Sequence, residues 1–91
     1  MIDINKVREH LQERSKVVVS SKDDAEKVMK ELIAIINKYS FASLMDLYDM
    51  VGLPSIYSES VWGWRKLDHA KIIQVSEGYL IDLPELEFIG E

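Results

Sequence analysis

Apolar residues recur along this chain at two spacings, and the change between them separates helical from extended stretches. Between residues 22 and 39, Ala25, Val28, Met29, Leu32, Ile35, Ile36 and Tyr39 share one face at the 3.6-residue period, which predicts a long amphipathic helix. Ser21 precedes it with an acid three positions on, the pattern of a capping box. A narrower stripe, Ile4, Val7 and Leu11, predicts a helix over 3–14 with Asp3 available as its cap. With so few apolar positions, that helix is expected to attach only loosely. A third, short helix follows from Leu44, Leu47, Tyr48 and Val51, opened by the box-like Ser43-Leu44-Met45-Asp46 and closed by Gly52 at its C′ position. Leu53-Pro54-Ser55 then breaks the helix and turns the chain.

The extended stretches are shorter. Lys16-Val17-Val18-Val19-Ser20 is a β-branched run and predicts a strand. Ile72–Val75 and Tyr79–Leu83 flank Ser76-Glu77-Gly78 and predict a hairpin, with glycine where a positive φ is needed. Pro84 stops the second strand, because it has no N–H for the ladder. No repeat, linker or boundary interrupts residues 1–91, so the reading is a single small α+β domain. Its helices would pack on a small antiparallel sheet ending in a C-terminal hairpin. That order of elements is winged-helix-like. A free edge of so small a sheet could also pair with a second copy.

Composition narrows the class. Ninety-one residues with 47% apolar content and no cysteine must be held by packing rather than by disulfides or a zinc ribbon. No apolar run approaches the roughly 20 residues that span a bilayer. Met1-Ile2-Asp3-Ile4-Asn5-Lys6 has neither the apolar core nor the charge pattern of a secretory signal, so a cytoplasmic location is expected. The net charge of −5 is uneven: residues 1–40 hold eight Lys/Arg against seven Asp/Glu, residues 41–91 three against nine.

That asymmetry bears on the winged-helix idea. The segment available as recognition helix, residues 55–60, has no basic residue, and the would-be wing carries Glu77 and Asp82. Nucleic-acid binding draws most of its affinity from cations on phosphates, and only Arg65, Lys66 and Lys71 could supply a patch in this half. Charge therefore disfavours nucleic acid as a partner. Enzyme readings are thinner still. His10 and His69 belong to no metal-binding pattern, Asp23/Asp24 and Asp46/Asp49 fit helix starts and solvated faces, and no phosphate loop, dinucleotide fingerprint or nucleophile elbow is present. The chain is expected to be non-enzymatic, with no cofactor and no metal.

The most unusual local feature is Val61-Trp62-Gly63-Trp64-Arg65, which holds both tryptophans. In an extended backbone, Trp62 and Trp64 share a face. Two readings stand. The rings fill the core, which a domain of this size needs, or at least one stays exposed as an anchor for a protein partner. Trp and Arg dominate interface hot spots. On the second reading the partner-binding residues are Tyr57, Trp62, Trp64, Arg65 and Lys66, within the acidic C-terminal half. Gly63 allows a close backbone approach or a bulge.

Three ordered motifs, Asp46-Leu47-Tyr48-Asp49-x-Val51-Gly52, Trp62-Gly63-Trp64 and Gly78-Tyr79-Leu80-Ile81-Asp82-Leu83-Pro84, make residues 16–86 resemble a group of short proteins encoded by phages, prophages and integrative elements of Gram-positive bacteria. Arg65 follows WGW here where the group more often has a small polar residue. The resemblance implies a mobile-element accessory protein acting inside a bacterial cell. It implies no catalytic residues and no cofactor.

Overall fold

The computed structural model describes residues 4–90, apart from the side chains of Ile4, Asn5, Val7, Arg8, Tyr57 and Ser58. Its order is α1 (Ile4–Arg14), β1 (Val17–Val19), α2 (Lys22–Tyr39), β2 (Ala42–Ser43), α3 (Leu44–Val51), a 3₁₀ turn (Tyr57–Ser60), β3 (Trp62–Trp64), β4 (Lys71–Val75), β5 (Gly78–Asp82) and β6 (Glu87–Phe88). The expected cap Asp3 lies outside the described residues.

Local chemistry explains the helix bounds. Ser21 is extended and its hydroxyl accepts from the Asp24 N–H at 3.1 Å, which starts α2. Ser43 and Asp46 form a complete capping box: the Asp46 N–H donates to the Ser43 hydroxyl, and the Ser43 N–H donates to the Asp46 carboxylate at 2.9 Å. Gly52 ends α3 at φ 74°, a left-handed conformation that costs glycine little. Ser40 closes α2 in the same region at φ 74° without being a glycine.

The α+β reading holds, with two differences of arrangement. The described residues form two three-stranded antiparallel sheets, ordered β1-β5-β4 and β2-β3-β6. The β4–β5 hairpin is therefore not the end of the chain: Pro84 stops β5, and Glu87–Phe88 then pairs with Trp62 and Gly63 as β6. A two-residue edge strand gives too little alternation to be read from sequence. The second difference lies within the winged-helix-like order: residues 57–60, in the segment expected as recognition helix, form one 3₁₀ turn of four residues, and the third helix before the hairpin is α3.

One core serves both sheets. Ala25, Val28 and Leu32 of α2 meet Val17 and Ile81 of the first sheet; Leu44, Leu47 and Tyr48 of α3 and Ala42, Trp62 and Trp64 of the second sheet complete it. α2 packs across all three strands of the first sheet, reaching both edge strands.

The N-terminal helix is more firmly seated than its narrow stripe suggests. Leu11 is 1% exposed within the core. Beside it, the Gln12 side-chain oxygen accepts from the Leu86 N–H at 2.7 Å, joining α1 to a segment 74 residues away. A contact of that separation leaves no trace in a local pattern.

Candidate functional site

The tryptophan corner belongs to the interior. Trp62 is 7% and Trp64 1% exposed. The Trp64 Nε1–H donates to the Pro84 carbonyl at 2.8 Å, and the Trp62 ring meets Phe88 edge-on at 5.6 Å between centroids. Gly63 is what allows this. A Cβ there would run into the Ala42 carbonyl oxygen and lie 2.7 Å from the Ser43 Cα, because β2 crosses against it (Ser43↔Gly63). The close approach anticipated at Gly63 is present, and it drives both rings inward. The reading of Trp62 or Trp64 as an exposed anchor is thereby corrected. Packing against β2 and β6 uses the surface a partner would need.

The other residues of that expected site separate. Arg65 is exposed but occupied: its guanidinium donates to the Phe88 carbonyl at 3.2 Å and stands 3.7 Å from the Glu87 carboxylate, which also accepts from the Arg65 N–H. Lys66 is exposed, with Asp68 bordering the surface depression on one side and Glu85 and Glu87 the one on the other. The cations at 65 and 66 are thus interleaved with acids rather than joined into a basic strip. The Tyr57 side chain lies outside the described residues.

A buried polar cluster went unrecognised in the sequence. Glu59 is 0% exposed, and its carboxylate accepts from Arg14 Nε at 2.8 Å, Arg14 Nη2 at 3.1 Å and the Ile56 N–H at 2.6 Å. The Arg14 guanidinium lies 4.8 Å from the centre of the Tyr48 ring, and the Tyr48 hydroxyl donates to the Arg14 carbonyl at 2.7 Å. The bond to Glu59 holds the Arg14 cation more firmly charged than usual. Burial pushes the Tyr48 phenol upward, against the pull of Arg14. Every oxygen in the cluster is satisfied, and it ties α1 to α3 and to the 3₁₀ turn. Its chemistry is that of a clasp.

The open concave surface lies elsewhere, at the outer edge of β1. A groove of about 570 Å³ is bounded by Val17, Val18, Val19 and Ser20 along β1, by Asp24, Lys27, Val28 and Glu31 on α2, and by Met50, Val51 and Leu53 at the end of α3. No residue of β4 or β5 lines it, and among the described residues β1 pairs with β5 alone, so the groove runs along the other edge of the strand. Val18 is 42% and Leu53 47% exposed. A smaller groove, about 480 Å³, flanks the other side of α2 with Met29, Ile33 and Ile72, where Asp23 and Glu26 balance Lys27 and Lys30. The β1 groove is the larger and is walled by three elements.

One sequence signal pointed there. A strand exposed on one face ordinarily alternates apolar with polar, yet Val17-Val18-Val19 has no polar member. Val18, turned outward, is apolar without a core to fill.

Fold and surface together define a small α+β domain with a groove of mixed apolar and charged lining beside a strand edge. Among the described residues no three His, Cys, Asp or Glu side chains gather to hold a metal ion, and no helix is long and apolar enough to cross a membrane. Compared with protein-family models, curated proteins and solved structures, the chain gives no significant match.

Proposed function

We propose that this chain is a non-enzymatic binding module that takes a protein partner in the groove between β1, α2 and the end of α3. The observation that carries the reading is a groove of mixed apolar and charged lining along a strand edge unpaired among the described residues. Backbone donors and acceptors at such an edge invite another chain, and half-exposed Val18 and Leu53 offer apolar contact beside them. The site differs from the tryptophan corner, whose rings are core. The motif resemblance adds a setting: an accessory protein of a phage or integrative element, in the bacterial cytoplasm, acting on a host or element protein.

A photo-crosslinking residue placed at Leu53, at the groove mouth, is expected to form a discrete adduct with one protein in the producing cell. The same group at Glu77, on the hairpin turn, should not. Equal labelling at both positions would remove the groove from consideration.

The alternative, a degenerate winged-helix DNA binder, draws little support. The segment expected to serve as its recognition helix is a four-residue turn, and Arg65 is engaged by Glu87. Duplex DNA binding that weakens steeply with salt would restore it.

A further inference from the structure

We infer that the occupant of the β1 groove is an extended segment of the partner, apolar residues alternating with lysine or arginine, which adds to β1 as the next strand of the sheet. This rests on the groove reading above and specifies its partner.

The backbone sets the first requirement. In the order β1-β5-β4, β1 has a neighbour on one side only among the described residues, so its outward N–H and C=O groups can be met in register by another extended chain. A helix laid in the same place would leave them unmatched. The groove floor sets the second. Val18, Met50 and Leu53 line it, and an added strand presents every second side chain to such a floor.

Charge sets the third. The α2 wall carries Asp24 and Glu31 against a single Lys27, and none of the three makes an ion pair among the described residues. Asp24 and Glu31 are seven residues apart, two helical turns or about 10 Å. Same-face residues of an added strand repeat at about 7 Å, and the flexible stems of lysine or arginine cover the difference. The remaining field acts the same way, since the chain carries net −5 and attracts cationic segments from a distance. A second copy would offer β1 itself, Val17–Val19, whose three residues carry no cation to meet Asp24 and Glu31, so self-pairing is the less complementary occupant.

The test uses the full chain and end-blocked eight-residue peptides alternating valine with lysine, with a glutamate-for-lysine version and a version N-methylated on a central valine and on the lysine beside it, so that one lost donor faces β1 in either orientation. Amide NMR titration is the readout. The lysine peptide should shift Val17–Val19 together with Asp24 and Glu31, and bind about tenfold tighter than the glutamate peptide at low salt, the gap closing as ionic strength rises. N-methylation should abolish binding, because it removes ladder donors. The double variant Asp24→Asn, Glu31→Gln keeps the cap and the apolar floor, and should lose the preference for lysine while still binding.

Equal affinity for the lysine and glutamate peptides would overturn the charge requirement. Undiminished binding of the N-methylated peptide would overturn strand addition. Concentration-dependent shifts of the same amides without any peptide would assign the edge to a second copy instead. If no peptide binds while the crosslink at position 53 persists, the strand inference fails and the groove reading survives; if the crosslink is absent as well, both fail.

Discussion

Glu59 and Arg14 make the sharpest residue-scale prediction, because one partner is fully buried and the other is 30% exposed at its side chain. Arg14→Ala leaves the Glu59 carboxylate in the interior with the Ile56 N–H as its remaining donor among the described residues, and should cost about 3 kcal/mol, the low end for a broken buried pair. Against a total of roughly 5–15 kcal/mol for a domain, a urea midpoint will register that plainly; a loss under about 1 kcal/mol would mean the carboxylate is solvated after all. Tyr48 gives a second test. Burial raises its phenol above the ordinary value near 10. A raised folded value means that the group's contribution is fully present below about pH 10 and is lost as pH climbs through the folded value. Tyr48→Phe should lower stability at neutral pH by about 1 kcal/mol, from the bond to the Arg14 carbonyl. It should also flatten the alkaline decline in melting temperature expected of the parent. None of this cluster was legible in the sequence. Arg14 and Glu59 are 45 positions apart and each reads locally as an ordinary surface charge. The tryptophans were half legible: their bulk argued for core, but nothing local said that β2 and β6 would close over both.

At the scale of elements, the caps carry the most transferable expectations. Ser43→Ala removes one side of the capping box and should cost about 1 kcal/mol, read from the thermal midpoint, with Ser43→Gly costing only a few tenths. Gly63→Ala is a harsher change, since its methyl would meet the Ala42 carbonyl oxygen. Separating β2 from β3 to admit it should cost about 2 kcal/mol or more. A neutral Gly63→Ala would refute the close packing that turns both tryptophans inward. The helices were legible because their signals are local: seven apolar positions at one period define α2, and Ser43 with Asp46 marks the start of α3. The β4–β5 hairpin was legible from two short runs around Ser76-Glu77-Gly78, although Gly78 itself proves to be the first residue of β5, paired with Val75. β2 and β6 were not, since two residues carry no period. Their pairing with β3 is decided by tertiary packing.

For the whole molecule, charge and shape point to different places, and their overlap is what the proposed function uses. The acids concentrate in residues 41–91, but the groove is framed mainly by residues 17–31 and 50–53. Sequence reasoning followed the charge to the C-terminal half and therefore missed the groove, whose walls come from segments far apart in the chain. Leu53→Ser tests the distinction. Leu53 is 47% exposed, so the change should move the melting midpoint little, within about 0.5 kcal/mol, while weakening the crosslinked partner at least severalfold. Trp64→Phe should do the reverse, lowering stability by about 2 kcal/mol or more through lost packing and the lost bond to Pro84, and leaving partner affinity unchanged in the fraction that stays folded.

The most direct measurement is amide hydrogen exchange on the free chain and on the chain bound to the partner captured at position 53. Protection gained on binding should concentrate at residues 17–20, 24–31 and 50–53, with the outward amides of β1 slowing most. Protection centred instead on residues 65–68 and 84–88, with β1 unchanged, would contradict the groove and return binding to the charged corner beside the tryptophans.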